Sequence, residues 1–207
     1  MIRSITCVAL ALTLFATIST ATVFSFNTDP FAGSTALTTP GRQVVGAESF
    51  ITFNPATDVF SFDPGVFGVT SPLSFLNTLG ASIPGAGANV IVLQDTPTPF
   101  AAGIAADLIA GQVTTSGPGF FIYFNSGLDL ARLVYSTDLS DSTADLKVLA
   151  RLTNLSGQAG RDALPTFTSA NFVAVDAVPE PASVLTTATA LLAFGGFALR
   201  RRKPLVP

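Results

Sequence analysis

The 207-residue chain contains no histidine and no tryptophan, one cysteine, one methionine and two tyrosines. Without histidine there is no Ser-His-Asp triad, no imidazole ligation of zinc and no histidine general base. The single thiol, Cys7, lies in the first apolar run. It precedes most of that run, whereas a lipid-attachment cysteine follows it, so Cys7 reads as a small hydrophobe. The body beyond it has no disulfide, thiol nucleophile or thiolate metal site. Charge is also scarce, at 11% of residues. Phosphate-binding and dinucleotide-binding glycine loops and the G-x-S-x-G nucleophile pattern are all missing. No cofactor is expected.

Apolar residues make up 48% of the chain, and they gather at its two ends. Arg3 precedes the largely apolar stretch Ile5 to Ile18, and Ser19-Thr20-Ala21 follows with small side chains. This order is that of a secretory leader, with signal peptidase cutting after Ala21, so residues 1–21 stand outside the fold. Near the other end, the eighteen residues from Ala182 to Leu199 carry no charge and are followed by Arg200, Arg201, Arg202 and Lys203. Eighteen residues make a helix of about 27 Å, near the hydrocarbon thickness of a bilayer. A single transmembrane helix over 182–199 is expected, with 200–203 as its cytoplasmic basic stop and all that precedes it across the membrane. Pro179 and Pro181 flank Glu180 and force Val178 to Pro181 into an extended, exposed entry that suits a processing enzyme.

Val178-Pro179-Glu180-Pro181-Ala182-Ser183, a short span and a terminal basic cluster, in that order, resemble the PEP-CTERM sorting signal of bacterial exported proteins, also labelled an ice-binding protein C-terminal motif. The resemblance covers residues 178–203. It implies recognition of Pro179, Glu180 and Pro181 by an exosortase, a membrane-embedded cysteine protease/transpeptidase, and an association with exopolysaccharide. The expected location is the inner membrane for the precursor, then the cell surface or extracellular matrix. The segment from Phe120 to Phe172 also resembles a body region that accompanies such tails, and implies no activity.

Between the two addresses, residues 22–177 are one domain's worth of chain. Five basic against twelve acidic side chains make this body −7, more acidic than the whole chain at −3. That balance disfavours nucleic acid and anionic lipid as partners. Phe24 and Phe26, Phe60 and Phe62, the run Val90 to Leu93, and Phe120 to Phe124 read as strands. Leu146, Val148, Ala150 and Leu152 alternate with Lys147 and Arg151, which predicts a half-buried strand with the apolar four on one face. A short helix is expected over Ala101 to Gly111, and one turn of helix within Gly157 to Leu164. Turn clusters such as Asp63-Pro64-Gly65 punctuate these pieces. The fold class is therefore read as all-β, an antiparallel β-sandwich-like body.

Three chemistries remain open for that body. A carboxylate pair, as in glycoside hydrolysis, would use Glu48, its only glutamate, with Asp58 or Asp63. Asp138, Asp141 and Asp145 offer oxygen ligands to calcium, but without the D-x-D-x-D-G order; the plainer reading is a solvated hairpin loop. An extracellular carbohydrate-binding module would want exposed aromatics, yet Tyr123 and Tyr135 lie in apolar runs and read as core. Thr38-Thr39, Thr96, Thr98 and Thr114-Thr115 share no period, so no threonine ladder for ice emerges. Asn154-Leu155-Ser156 matches a glycosylation sequon by coincidence of residue types. The reading taken is a non-enzymatic exported surface or matrix protein, with the binding module and the hydrolase as alternatives.

Overall fold

A computed structural model describes residues 21–175. The leader run, the Pro179-Glu180-Pro181 motif, the expected span 182–199 and the basic stop 200–203 lie outside the described residues. Among the described residues no helix is long and apolar enough to cross a membrane.

The chain is mostly strand, in two sheets, with few helices. The smaller sheet has the order β1-β4-β10, formed by Val23–Phe26, Val59–Phe62 and Phe172–Ala174. Both outer strands run parallel to β4. The larger sheet takes β2 (Val44–Val45), β3 (Ser49–Ile51), β5 (Phe75–Thr78), β6 (Val90–Leu93), β7 (Gly119–Asn125), β8 (Leu130–Ser136) and β9 (Leu146–Ser156). Its order is β2-β9-β8-β7-β6-β5, with β3 following β2 along the same edge of β9.

Only the β7–β8 and β8–β9 pairings are antiparallel; β2 and β3 on β9, β5 on β6 and β6 on β7 are parallel. The antiparallel sandwich is thus corrected to a mixed arrangement. A one-turn helix α1 (Pro64–Phe67) follows β4, and the segment between β6 and β7 carries helix α2 (Ala102–Ala110) and crosses the sheet instead of turning back, as a parallel pair requires. The expected helix thereby covers one face of the sheet, presenting Ala102, Ala105, Ala106 and Ile109 at helical spacing.

Both faces of the larger sheet are consequently buried, and β6 and β7 are buried at every position. Phe120, Ile122 and Phe124 point toward the smaller sheet, and Phe121 and Tyr123 toward α2. The inter-sheet core is built from phenylalanine rings. Phe62 stacks on Phe120 with ring centres 3.7 Å apart, Phe53 on Phe60 at 4.1 Å, and Phe67 meets Tyr135 edge-on at 4.9 Å.

The four apolar residues of β9 do not share a face. Leu133 pairs with Ala150 but Val134 with Val148, so Leu149 is an extra residue in the ladder. One inserted residue reverses the alternation. Leu146 and Val148 face α2, whereas Ala150 and Leu152 face the smaller sheet. The same bulge carries Arg151 onto the α2 side.

Candidate functional site

Among the described residues, each carboxylate singled out in the sequence has a structural partner. Asp63 caps α1, accepting hydrogen bonds from the Gly65 and Val66 amides at 2.8 and 3.3 Å. Asp58 is buried and accepts from the Thr22 amide, the Asn54 amide and the Thr57 hydroxyl at 3.0, 2.8 and 3.1 Å. Burial opposes its ionisation, but those hydrogen bonds outweigh it and hold its carboxyl below the usual carboxylate range.

Glu48 is brought neither to Asp58 nor to Asp63 as a charge pair; it meets two arginines. Its Oε1 accepts from Arg151 Nε at 2.5 Å and Arg132 Nη2 at 3.0 Å. The three side chains are 8%, 31% and 12% exposed for Glu48, Arg151 and Arg132. Burial raises the Glu48 pKa, while a bond from its own amide and the two guanidiniums outweigh that and lower it. An ion-paired, ionised carboxylate of this kind is neither a proton donor nor a free nucleophile near neutral pH.

The register explains this cluster. Tyr123 lies opposite Arg132, Arg132 opposite Arg151, and Arg151 opposite Phe50, so the four residues form one row across β7, β8, β9 and β3. The Asn125 side chain donates to the Tyr123 hydroxyl at 2.9 Å inside it. Phe50, at the open end of the row, is 71% exposed. The Arg151 guanidinium carbon sits 5.3 Å from its ring centre. Sequence reasoning missed Phe50 as a surface aromatic; the alternation of Glu48 and Phe50 against Ser49 and Ile51 is the signal that places them together.

The three aspartates weighed as a calcium loop, Asp138, Asp141 and Asp145, are each engaged separately. Asp138 accepts from the Ser116 hydroxyl, the Gly117 amide, and the amide and hydroxyl of Ser140. Asp141 accepts from the amide and hydroxyl of Thr143. Asp145 accepts from the Leu37 and Gln43 amides at 2.6 Å each, pinning a distant loop. Among the described residues no three metal-ligating side chains stand together. Asp138 and Asp141 serve as turn acceptors for the amides two residues on, whereas Asp145 is spent on the distant loop.

A cleft of about 370 Å³ is lined by Thr70, Ser74, Asn89, Thr115, Ser116 and Leu139 among others. No ionisable side chain lines it. Its Asn89 amide already bonds the Ser74 amide and the Thr70 carbonyl, and its Ser116 hydroxyl is spent on Asp138. Tyr123 and Tyr135 are both core residues, 0% and 6% exposed. Burial pushes the Tyr135 phenol up to about 12, with its proton donated to the Phe67 carbonyl at 2.8 Å. The sequon residue Asn154 is equally engaged: its side chain accepts from the Phe53 amide and donates to the Phe53 carbonyl at 2.8 and 2.9 Å.

Ala21 is exposed, two residues before the start of β1 at Val23. No family model, curated protein or solved structure matches this chain.

Proposed function

We propose that this chain is a non-enzymatic exported surface or extracellular-matrix protein, sorted through its C-terminal segment. Signal peptidase removes residues 1–21. The span 182–199 and Arg200 to Lys203 hold the precursor in the membrane, and an exosortase acts at Pro179-Glu180-Pro181, in association with exopolysaccharide. The observation that carries this reading is the tripartite tail: a proline-flanked acidic entry, an uncharged stretch and a basic stop, in order. Two features of the body support it. The last strand ends at Ala174, so little chain separates the folded body from the motif at the membrane surface. The three carboxylates available for hydrolysis are an arginine partner, an amide acceptor and a helix cap.

Glu180 cannot enter hydrocarbon cheaply and therefore marks the outer boundary of the span. Replacing Pro179, Glu180 and Pro181 together with alanine removes that boundary but leaves the span and its basic stop. The variant inserts and accumulates as an uncleaved membrane-bound precursor in a host that carries an exosortase. Equal mass and equal membrane-to-surface distribution for wild type and variant would sink the sorting reading.

A second reading, an extracellular carbohydrate-binding module, is favoured by Phe50. A flat aromatic face at 71% exposure offers an apolar platform to the C–H face of a sugar ring. Beside it, Arg151 uses Nε on Glu48, and its Nη groups donate to no described residue, leaving a planar donor edge for sugar oxygens.

A further inference from the structure

Asp58 is 5% exposed, and its side-chain partners among the described residues are all neutral: the Thr22 and Asn54 amides and the Thr57 hydroxyl. None of the ion pairs among the described residues includes it. An ionised carboxylate removed from water ordinarily has a cation beside it. Asp58 also stands at a junction. The Val59 amide donates to the Thr22 carbonyl at 2.9 Å, and the Asp58 carbonyl accepts from Asn171 Nδ2 at 2.8 Å. It therefore joins the first strand, β4 and the turn that leads into the last strand.

The nitrogen it holds is that of Thr22, 3.0 Å from Oδ1, and Thr22 follows the expected leader cleavage at Ala21. We propose that Asp58 is the receptor for the α-ammonium group that leader removal creates at Thr22. This rests on the reading of residues 1–21 as a cleaved leader. Hydrolysis of the Ala21–Thr22 bond adds one water: the Ala21 carbonyl carbon becomes a carboxylate, and the Thr22 nitrogen leaves as an amine that takes up a proton. No atom of the body has to travel. A neutral amide hydrogen bond becomes a charge-assisted one in place, and the buried carboxylate acquires its missing cation. The edge strand β1, held on one side by β4 alone, is thereby fastened only in the processed protein. In the precursor the same position carries an uncharged amide, so β1 and the junction beneath it are held more loosely.

The test compares two processed chains in detergent, one beginning at Thr22 and one retaining Ala21 behind an added glycine, each with Asp58 and with Asp58→Asn. Ala21 is exposed, so the extension displaces only the charge. The expected result is a melting temperature lower by about 2–6 °C for the extended chain when Asp58 is present, and no difference between the two chains when both carry Asp58→Asn. Equal melting of the two Asp58 chains overturns the inference. If Asp58→Asn does not fold, titration of the Thr22 α-amine by NMR decides: a pKa above the usual value of about 8 supports the ion pair, and an ordinary one overturns it. N-terminal sequencing of exported protein keeps the two ideas apart. A start at Met1 removes the leader reading and this inference with it; a start near but not at Thr22, or a start at Thr22 with equal melting, removes the inference alone.

Discussion

Glu48→Gln is the sharpest test of the buried charge cluster. The substitution keeps shape and removes the charge. In its absence Arg132 and Arg151, directly opposite each other on β8 and β9, are left as like charges across a strand pair. Breaking a buried pair typically costs about 3–5 kcal/mol, and Arg132, 12% exposed, falls near the lower end of that range. Arg151 is 31% exposed and adds at most about 1 kcal/mol after solvent screening. The Gln amide oxygen retains a neutral hydrogen bond, which offsets about 1 kcal/mol. The net loss is about 2–4 kcal/mol, or a melting temperature lower by roughly 4–16 °C for a body of this size. The pH dependence follows from the lowered pKa of Glu48. Its contribution is complete above its ordinary value of 4.5 and is lost as pH falls through the lower folded value. Thermal melts of wild type and variant should therefore differ fully at pH 7 and converge in acid below 4.5. A variant within about 0.5 kcal/mol of wild type at neutral pH, or a gap that stays constant into acid, would refute the reasoning.

Two further outcomes check the packing and the surface. Gly160→Ala would ordinarily stabilise a helix by about 1 kcal/mol, but here the added methyl would sit 2.3 Å from the Leu155 backbone, so urea unfolding should show a loss of at least about 2 kcal/mol instead. If the saccharide reading of Phe50 holds, Phe50→Ala should weaken retention on immobilised polysaccharide by about fivefold or more without lowering the melting temperature, since its ring is 71% exposed; unchanged retention would remove that reading.

Several elements were legible because their cause is local. Val90 to Leu93, Phe120 to Phe124 and the helices near Ala101 to Gly111 and Gly157 to Leu164 stand where β-branched, aromatic or small residues put them. Strand direction was not legible, although the unbroken apolar runs of β6 and β7 carry the mark of strands buried on both faces, as in parallel sheets. The bulge at Leu149 was hidden for a different reason. An alternating pattern looks the same whether or not the partner strand skips a residue, and only the register against Leu133 and Val134 reveals the skip.

The proposed addresses at the chain ends rest on the sequence alone, because hydrophobicity, charge order and proline stiffness act over a dozen residues without any fold. The absence of histidine likewise excludes imidazole chemistry whatever the fold. What the carboxylates do was decided only in three dimensions. Glu48 meets arginines 84 and 103 residues away, Asp145 meets amides 102 and 108 residues away, and Asp58 meets the backbone nitrogen of Thr22 across 36. A charge shows itself in a sequence, but its partner is chosen by the register of strands, which depends on packing between segments far apart in the chain.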